Sequence, residues 1–184
     1  MDRWHLPKQA EIAGERYDIH TDYRDVLEIF SFFQDPELPD FLKWKIALAL
    51  FYVQPVPEAA EEEAARYLAR FIAGGREEAA TSGPRLLDWQ ADADFIAADI
   101  NAVAGQEIRS LPYVHWWTFL GWFHAIGQGQ LSTVVGIRRK LAKGEKLEAW
   151  EKEYYRENMA RVVLKPRLTR AEQAEKERLE RMLR

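Results

Sequence analysis

Apolar and polar positions change period several times along the chain, and each change marks an element. Over residues 11–20 they alternate around Gly14-Glu15, which predicts a small hairpin with Ile12 facing Tyr17 or Ile19. From Thr21 the period becomes helical. Tyr23, Val26, Leu27, Phe30 and Phe33 recur at three- and four-residue steps, with Thr21 as N-cap and Asp35-Pro36 as the stop. The next helix opens near Pro39 and shows two apolar faces, one of Phe41, Trp44, Leu48 and Tyr52 and one of Leu42, Ile46, Ala49 and Val53. Burial on both sides is therefore expected. A third helix follows Pro57, with Glu61, Glu62 and Glu63 at the positive end of its dipole. Its stripe is Ala60, Ala64, Tyr67, Leu68 and Phe71, and Gly74-Gly75 is its left-handed stop.

Residues 76–84 read as a polar loop. Asp88 caps a fourth helix to about Ala104, in which Trp89, Ala93, Ile96, Ile100 and Val103 share a sector bordered by Asp88, Asp92 and Asp99. Pro112 opens a fifth over 113–126 that is apolar nearly all round and so belongs in the centre of a bundle. After the Gly127-Gln128-Gly129 turn, Leu131, Val134, Val135 and Ile137 begin a sixth helix that turns basic at Arg138-Arg139-Lys140. Beyond Gly144 large apolar residues become sparse: Trp150, Tyr154 and Tyr155 punctuate a charged stretch that Pro166 interrupts. Thr169-Arg170-Ala171-Glu172 then has capping-box spacing for a last helix to about Leu183. The predicted fold class is mainly α: a compact multi-helix bundle with a small N-terminal β-hairpin and a charged helical C-terminal extension, divided as 1–143 and 144–184.

Charge sharpens that division. The net of −4 over 184 residues conceals 11 basic and 21 acidic side chains in residues 1–137, a net of −10, and 15 and 9 in residues 138–184, a net of +6. With 47% apolar residues the chain can bury one core, and with no cysteine it has no disulfide, zinc ribbon or thiol nucleophile. The start of the chain lacks the apolar run of a signal peptide. The 113–126 stretch, about 21 Å long as a helix, is too short to cross a bilayer. A cytoplasmic protein is predicted.

Candidate chemistry is thin. Asp88, Asp92 and Asp99 could hold a divalent cation, but a carboxylate bundle site needs Glu-x-x-His from partner helices, which the chain lacks. Capping, and pairing with Arg or Lys of neighbouring helices, are the expected roles. His115 and His124 are nine residues apart, on opposite sides of a helix, so they cannot share an ion. Each is read as a buried histidine bonded to a carbonyl or carboxylate, and His20, beside Asp22, as local turn chemistry. No nucleophile elbow, P-loop or dinucleotide fingerprint occurs, and neither enzymatic activity nor a metal or cofactor is predicted. Glu145, Glu148, Glu151, Glu153 and Glu157 interleave with the bases after Arg138, which favours a solvated or protein-binding helix over nucleic-acid binding. Trp44, Trp89, Trp116 and Trp117 are assigned to the core, Trp4 and Trp150 to the flanks.

Three segments and a dipeptide occur in order: Tyr17-Asp18-Ile19-His20-Thr21-Asp22-Tyr23-Arg24, Leu86-Leu87-Asp88-Trp89-Gln90-Ala91-Asp92, Leu111-Pro112-Tyr113-Val114-His115-Trp116-Trp117-Thr118-Phe119, and Ile137-Arg138. Over about residues 17–138 this resembles the bacteriophage gp-fifteen family of tailed phages and prophages of Gram-positive bacteria. Tyr17, Thr21, Asp22, Arg24, Asp88, Trp89, Asp92, His115, Trp116, Trp117, Phe119 and Arg138 carry the resemblance and are expected to be structural or partner-binding, none of them catalytic.

The resemblance implies a tail assembly chaperone, encoded between the major tail protein and the tape measure protein. Such a protein would coat the long apolar tape measure helix, keep it soluble, and be displaced as tail-tube subunits polymerise. The implied partners are the tape measure protein, beside it the tail-tube protein or a second tail chaperone, and further copies of the chain as a homo-oligomer. Its implied place is the host cytoplasm during assembly and not the mature virion. A connector retained in the virion is the alternative, and a metal-dependent enzyme built on the Asp cluster a more remote one. The charged extension beyond Lys140 departs from the resemblance. An edge of the helix over 116–123, together with that extension, is the expected contact surface.

Overall fold

In the computed structural model, which describes residues 4–76 and 83–182, the alternating start forms a hairpin of β1 (Gln9–Ile12) and β2 (Glu15–Asp18). Ala13 and Gly14 between them have φ of 51° and 80°, the left-handed pair that matches the twist of a tight hairpin. The register sets Ala10 opposite Tyr17 and Ile12 opposite Glu15. The expected facing of Ile12 with Tyr17 or Ile19 is thereby corrected. The two-residue turn fixes the pairs, and Ile12 and Tyr17 share the buried face diagonally.

Helix α1 (Tyr23–Phe33) is capped by Asp22 and not by Thr21: the Asp22 carboxylate accepts the Arg24 amide at 2.9 Å. Helix α2 (Asp40–Phe51) starts after Pro39 and buries Ala47, Leu48 and Phe51. Its second face is not covered as expected. Phe41 is 70% exposed, and Leu42, Trp44 and Val53 also reach solvent, because α2 packs on α1 and α3 alone among the described helices with several contacts to it. Helix α3 (Glu61–Ile72) follows its predicted stripe, with Ala64, Leu68 and Phe71 fully buried and Gly74 and Gly75 left-handed beyond its end. Of the predicted loop, residues 77–82 lie outside the described residues, as does the predicted helix end at Leu183.

Two helices start later than their sequence signals. Asp88 accepts the amides of Gln90 and Ala91 (2.9 Å each), closing a separate turn, and α4 (Ala93–Ala104) begins after Asp92. Its buried side is Phe95, Ile96, Ala97 and Ile100, whereas Ala93 and Val103 are exposed. Helix α5 (Trp116–His124) begins three residues beyond Tyr113, since Val114 and His115 are held extended against residues 21–23. Trp116 and Phe119 are buried centrally, but Gly121 and His124 face solvent, so α5 is central on one side only. Helix α6 (Gln130–Lys143) opens where the Leu131 amide donates to Asp99 at 2.9 Å. A Cβ on Gly129 would meet that carboxylate at 2.5 Å, so a side chain there would push Asp99 off the start of α6.

The expected division at 143/144 coincides with the left-handed Gly144 (φ 69°). The chain beyond it returns to the bundle as α7 (Ala149–Glu157) and α8 (Met159–Val162), and ends in α9 (Arg170–Met182), which buries no residue. Among the described residues no helix is long and apolar enough to cross a membrane.

Candidate functional site

The motif residues gather at two nodes. At the first, residues 21–24 lie against 111–117. Asp22 accepts the Val114 amide (2.9 Å), while the Arg24 guanidinium meets both Asp22 oxygens at 3.1 Å and donates to the Leu111 carbonyl at 2.6 Å. The Tyr23 amide donates to Val114 (2.9 Å), the Trp116 amide to Thr21 (2.7 Å), and the Thr21 and Tyr113 hydroxyls share a bond of 2.7 Å. His115 Nδ1 accepts the Trp117 amide (3.0 Å). Its Nε2 therefore carries the proton and donates to the Pro7 carbonyl at 3.0 Å, which ties the N-terminal segment down. Burial pushes the His115 pKa down, against the opposing pull of the Pro7 bond, so the ring is neutral.

Trp116 and Trp117 donate their indole N–H groups to the carbonyls of Ile72 (2.9 Å) and Phe71 (2.8 Å), at the end of α3, where no helical amide lies four residues ahead. The Trp116 ring joins a stack: Tyr23 on Phe119 (4.7 Å between centroids), Trp116 on Phe119 (5.5 Å) and Phe30 on Trp89 (5.8 Å). Tyr17 meets Tyr52 edge-on at 5.9 Å. Two histidines differ in their surroundings. His124, expected to be buried, is exposed in the last turn of α5, and His20 lies 4.0 Å from Asp25, where Asp22 was the expected neighbour.

The second node is centred on Arg138, which is 6% exposed and spends all five N–H donors internally. Nε donates to the Val162 carbonyl (2.6 Å), Nη1 to Leu86 (3.0 Å) and Asp92 (2.7 Å), and Nη2 to Asp92 (2.8 Å) and Arg161 (3.0 Å). Asp92 is fully buried, and also accepts the Asp88 amide at 2.8 Å. Asp88 in turn pairs with Arg167 (2.6 Å) and Arg85 (3.4 Å). Burial opposes ionisation of Asp88, but the Ala91 amide, Arg167 and the Gln90 amide outweigh it and hold the pKa below the usual carboxylate range. Asp88, Asp92 and Asp99 are thus engaged by arginines and by backbone amides. Among the described residues no group of three or more His, Asp or Glu is placed to hold a metal ion.

Several residues at this node carried no motif. Lys140 donates to Glu151 at 2.7 Å, and Glu151 accepts the Glu148 amide as well, so its pKa is lowered first by Lys140 and then by that amide. Val162 is 1% exposed. The signal for it is faint but present: Val162-Val163-Leu164 is the sole run of three large apolar residues in 144–184. Arg167, next to Pro166, and Pro7 left no such trace.

The surfaces that remain open are mixed: a charged cleft of about 530 Å³ runs along Arg85, Asp88, Asp94, Arg161, Lys165 and Arg167, and two others are more apolar. A groove of about 330 Å³ lies between the end of α3 and α5, lined by Leu6, Ile72, Gly74, Trp117, Leu120 and Gly121 among others. The outer face of α2 continues into a cleft of about 240 Å³ beside Val53, Val56 and Glu61. Trp4 and Trp150, assigned to the flanks, are exposed, and Trp44 is exposed at the edge of the core.

A family model described as "Bacteriophage Gp15 protein" matches residues 4–164. No curated protein and no solved structure matches the chain. The match includes the first node and all of the second except Arg167, and ends just past Val162, so it takes in α7 and α8, which lie beyond the 17–138 span of the sequence motifs.

Proposed function

The chain belongs to the bacteriophage Gp15 protein family, and on that premise we propose that it is a tail assembly chaperone. In this role it binds the tape measure protein, keeps it soluble in the host cytoplasm, and leaves as tail-tube subunits polymerise. One observation supports the reading beyond the family: the polar groups of the motifs are spent on internal bonds, Arg138 through all five donors, while a groove beside α5 leaves Leu6, Ile72, Trp117 and Leu120 open. That division of labour suits a protein that binds helices and not one that performs chemistry on a small substrate. An amphipathic helix laid in the groove beside Trp117 and Leu120 would bury anchors at i, i+3, i+4 and i+7.

Co-expression with the tape measure protein tests it. The soluble fraction of that protein should rise and a complex should elute from a sizing column; no rise and no complex overturns the reading. Leu120→Glu, on the groove, should abolish the effect, with circular dichroism of the variant reporting separately on the fold. Mass spectrometry of purified particles should find the protein absent from the finished tail, whereas its presence there favours a connector.

A further inference from the structure

The body over residues 1–137 is net −10, yet one of its clefts is cationic. About 530 Å³ in volume, it lies between the Asp88 turn and the chain that leaves α8. Four cations line it, Arg85, Arg161, Lys165 and Arg167, against two carboxylates, Asp88 and Asp94, which leaves a surplus of two positive charges.

Neither carboxylate absorbs that surplus. One oxygen of Asp88 accepts the Gln90 and Ala91 amides, and the other meets Arg167 at 2.6 Å and Arg85 at 3.4 Å, so its capacity is used. Asp94 is 83% exposed and lies 3.9 Å from Arg109, which is outside the cleft lining. Among the described residues Arg161 and Lys165 pair with no carboxylate. Arg161 is nevertheless fixed in place: its guanidinium carbon sits 4.4 Å from the centroid of the Phe95 ring, and its carbonyl accepts Arg138 at 3.0 Å. A guanidinium stacked by its flat face keeps its N–H groups in the plane, where their edge can grip a carboxylate. Arg85 is anchored by its bond to the Lys165 carbonyl at 2.9 Å. The cations are thus preorganised for an anion that the chain does not supply.

Charge and lining together select the class of that anion. A surplus of two is complemented by a ligand with about two negative charges. The same cleft exposes apolar surface at Val163, which is 47% exposed, and at Leu164 and Pro166. Such surface suits an apolar side chain and gives nothing to a sugar-phosphate chain, whose many charges would also meet a body of net −10. We propose that this cleft binds an acidic peptide segment of a protein partner, two carboxylates engaging Arg161 and Lys165 while an apolar side chain between them covers Val163. The site shares no lining residue with the groove beside α5, so it is a second contact and not part of the first.

The probe is the end-blocked peptide acetyl-Glu-Gly-Leu-Gly-Glu-amide, titrated into the isotope-labelled full chain and followed by amide NMR, which registers even weak binding. The amides of residues 85–91 and 160–167 should shift and saturate, whereas the counterpart with both Glu replaced by Gln should leave them still. Arg161→Ala with Lys165→Ala should weaken the peptide at least about tenfold, the loss of two charge-assisted contacts, and the rest of its spectrum should overlay the parent's. No shift at these amides, equal shifts with the Gln peptide, or undiminished binding by the variant overturns the proposal. Equal shifts from inorganic phosphate or a DNA duplex at matched charge also overturn it, because the cleft would then take any anion. The Glu and Gln peptides are compared on the parent chain, so the test stands even if the variant does not fold. No tape measure protein enters the experiment, and its failure leaves the chaperone reading where it stands.

Discussion

Two neighbouring stretches of the C-terminal part reach opposite states. Over 145–164 the chain docks on the bundle as α7 and α8, burying Glu151 and Val162. Over 170–182 it forms a helix that buries nothing. The second is the more densely charged, with eight charged residues of 13 against nine of 20. The bundle also provides a socket for the first: Arg138 points all its donors at Asp92 and at carbonyls from both sides of the joint, and Lys140 meets Glu151. Charged groups enter a protein when each donor finds an acceptor, and a stretch without such partners stays in water. The family match ends at 164, on the docked side of this division.

Removing the socket should break the comparison most severely. Arg138→Ala leaves a fully buried carboxylate without its cation and three carbonyls without donors, for an expected loss of about 3–5 kcal/mol in urea unfolding. Arg138→Lys keeps the charge but cannot reproduce the planar fork, and should recover only part of that loss. An unchanged midpoint for the alanine variant would mean that the node does not hold the docked stretch.

Val162→Ala should cost about 2 kcal/mol for the buried surface lost. Hydrogen exchange should rise in α7 and α8 first, while α1 to α4 stay protected. Uniform loss of protection would show that the docked stretch and the bundle unfold as one unit.

Acid should loosen the same joint. Asp88 and Glu151 both have lowered pKa values, so their contribution to stability is complete above the unfolded carboxylate values, about 4, and is lost as pH falls through the lowered folded values. Exchange in residues 149–163 should therefore accelerate on acidification, and Glu151→Gln should blunt the response. The smallest effect is expected on the other side of the comparison. Ending the chain after Leu168 should change stability by no more than about 0.5 kcal/mol, since α9 has no buried side chain to lose. A larger drop would mean that α9 is covered in solution.

Much of the fold was legible because helical period, capping residues and glycine stops are local. The stripe Ala64, Leu68, Phe71 and the capping box at Thr169 appear as read. The starts of α4 and α5 were misplaced for a tertiary reason: Asp88 closes its own turn, and Val114 and His115 are pulled extended by residues 21–23, a contact across more than 90 positions. The second face of α2 was misjudged because two apolar faces on one helix do not reveal whether a neighbour exists for each. Among the site residues, pairing of the aspartates was expected, but the identity of Arg138 as partner of Asp92 depends on how α4 and α6 cross.

Sequence by itself determined that this is a mainly helical protein of the Gp15 kind with its positive charge collected at the end, since period, composition and ordered motifs are all properties of the chain. Only the tertiary structure decided where the folded body stops. That boundary depends on whether distant donors and acceptors meet, and Arg138 meets Val162 and Arg161, while among the described residues α9 buries no side chain.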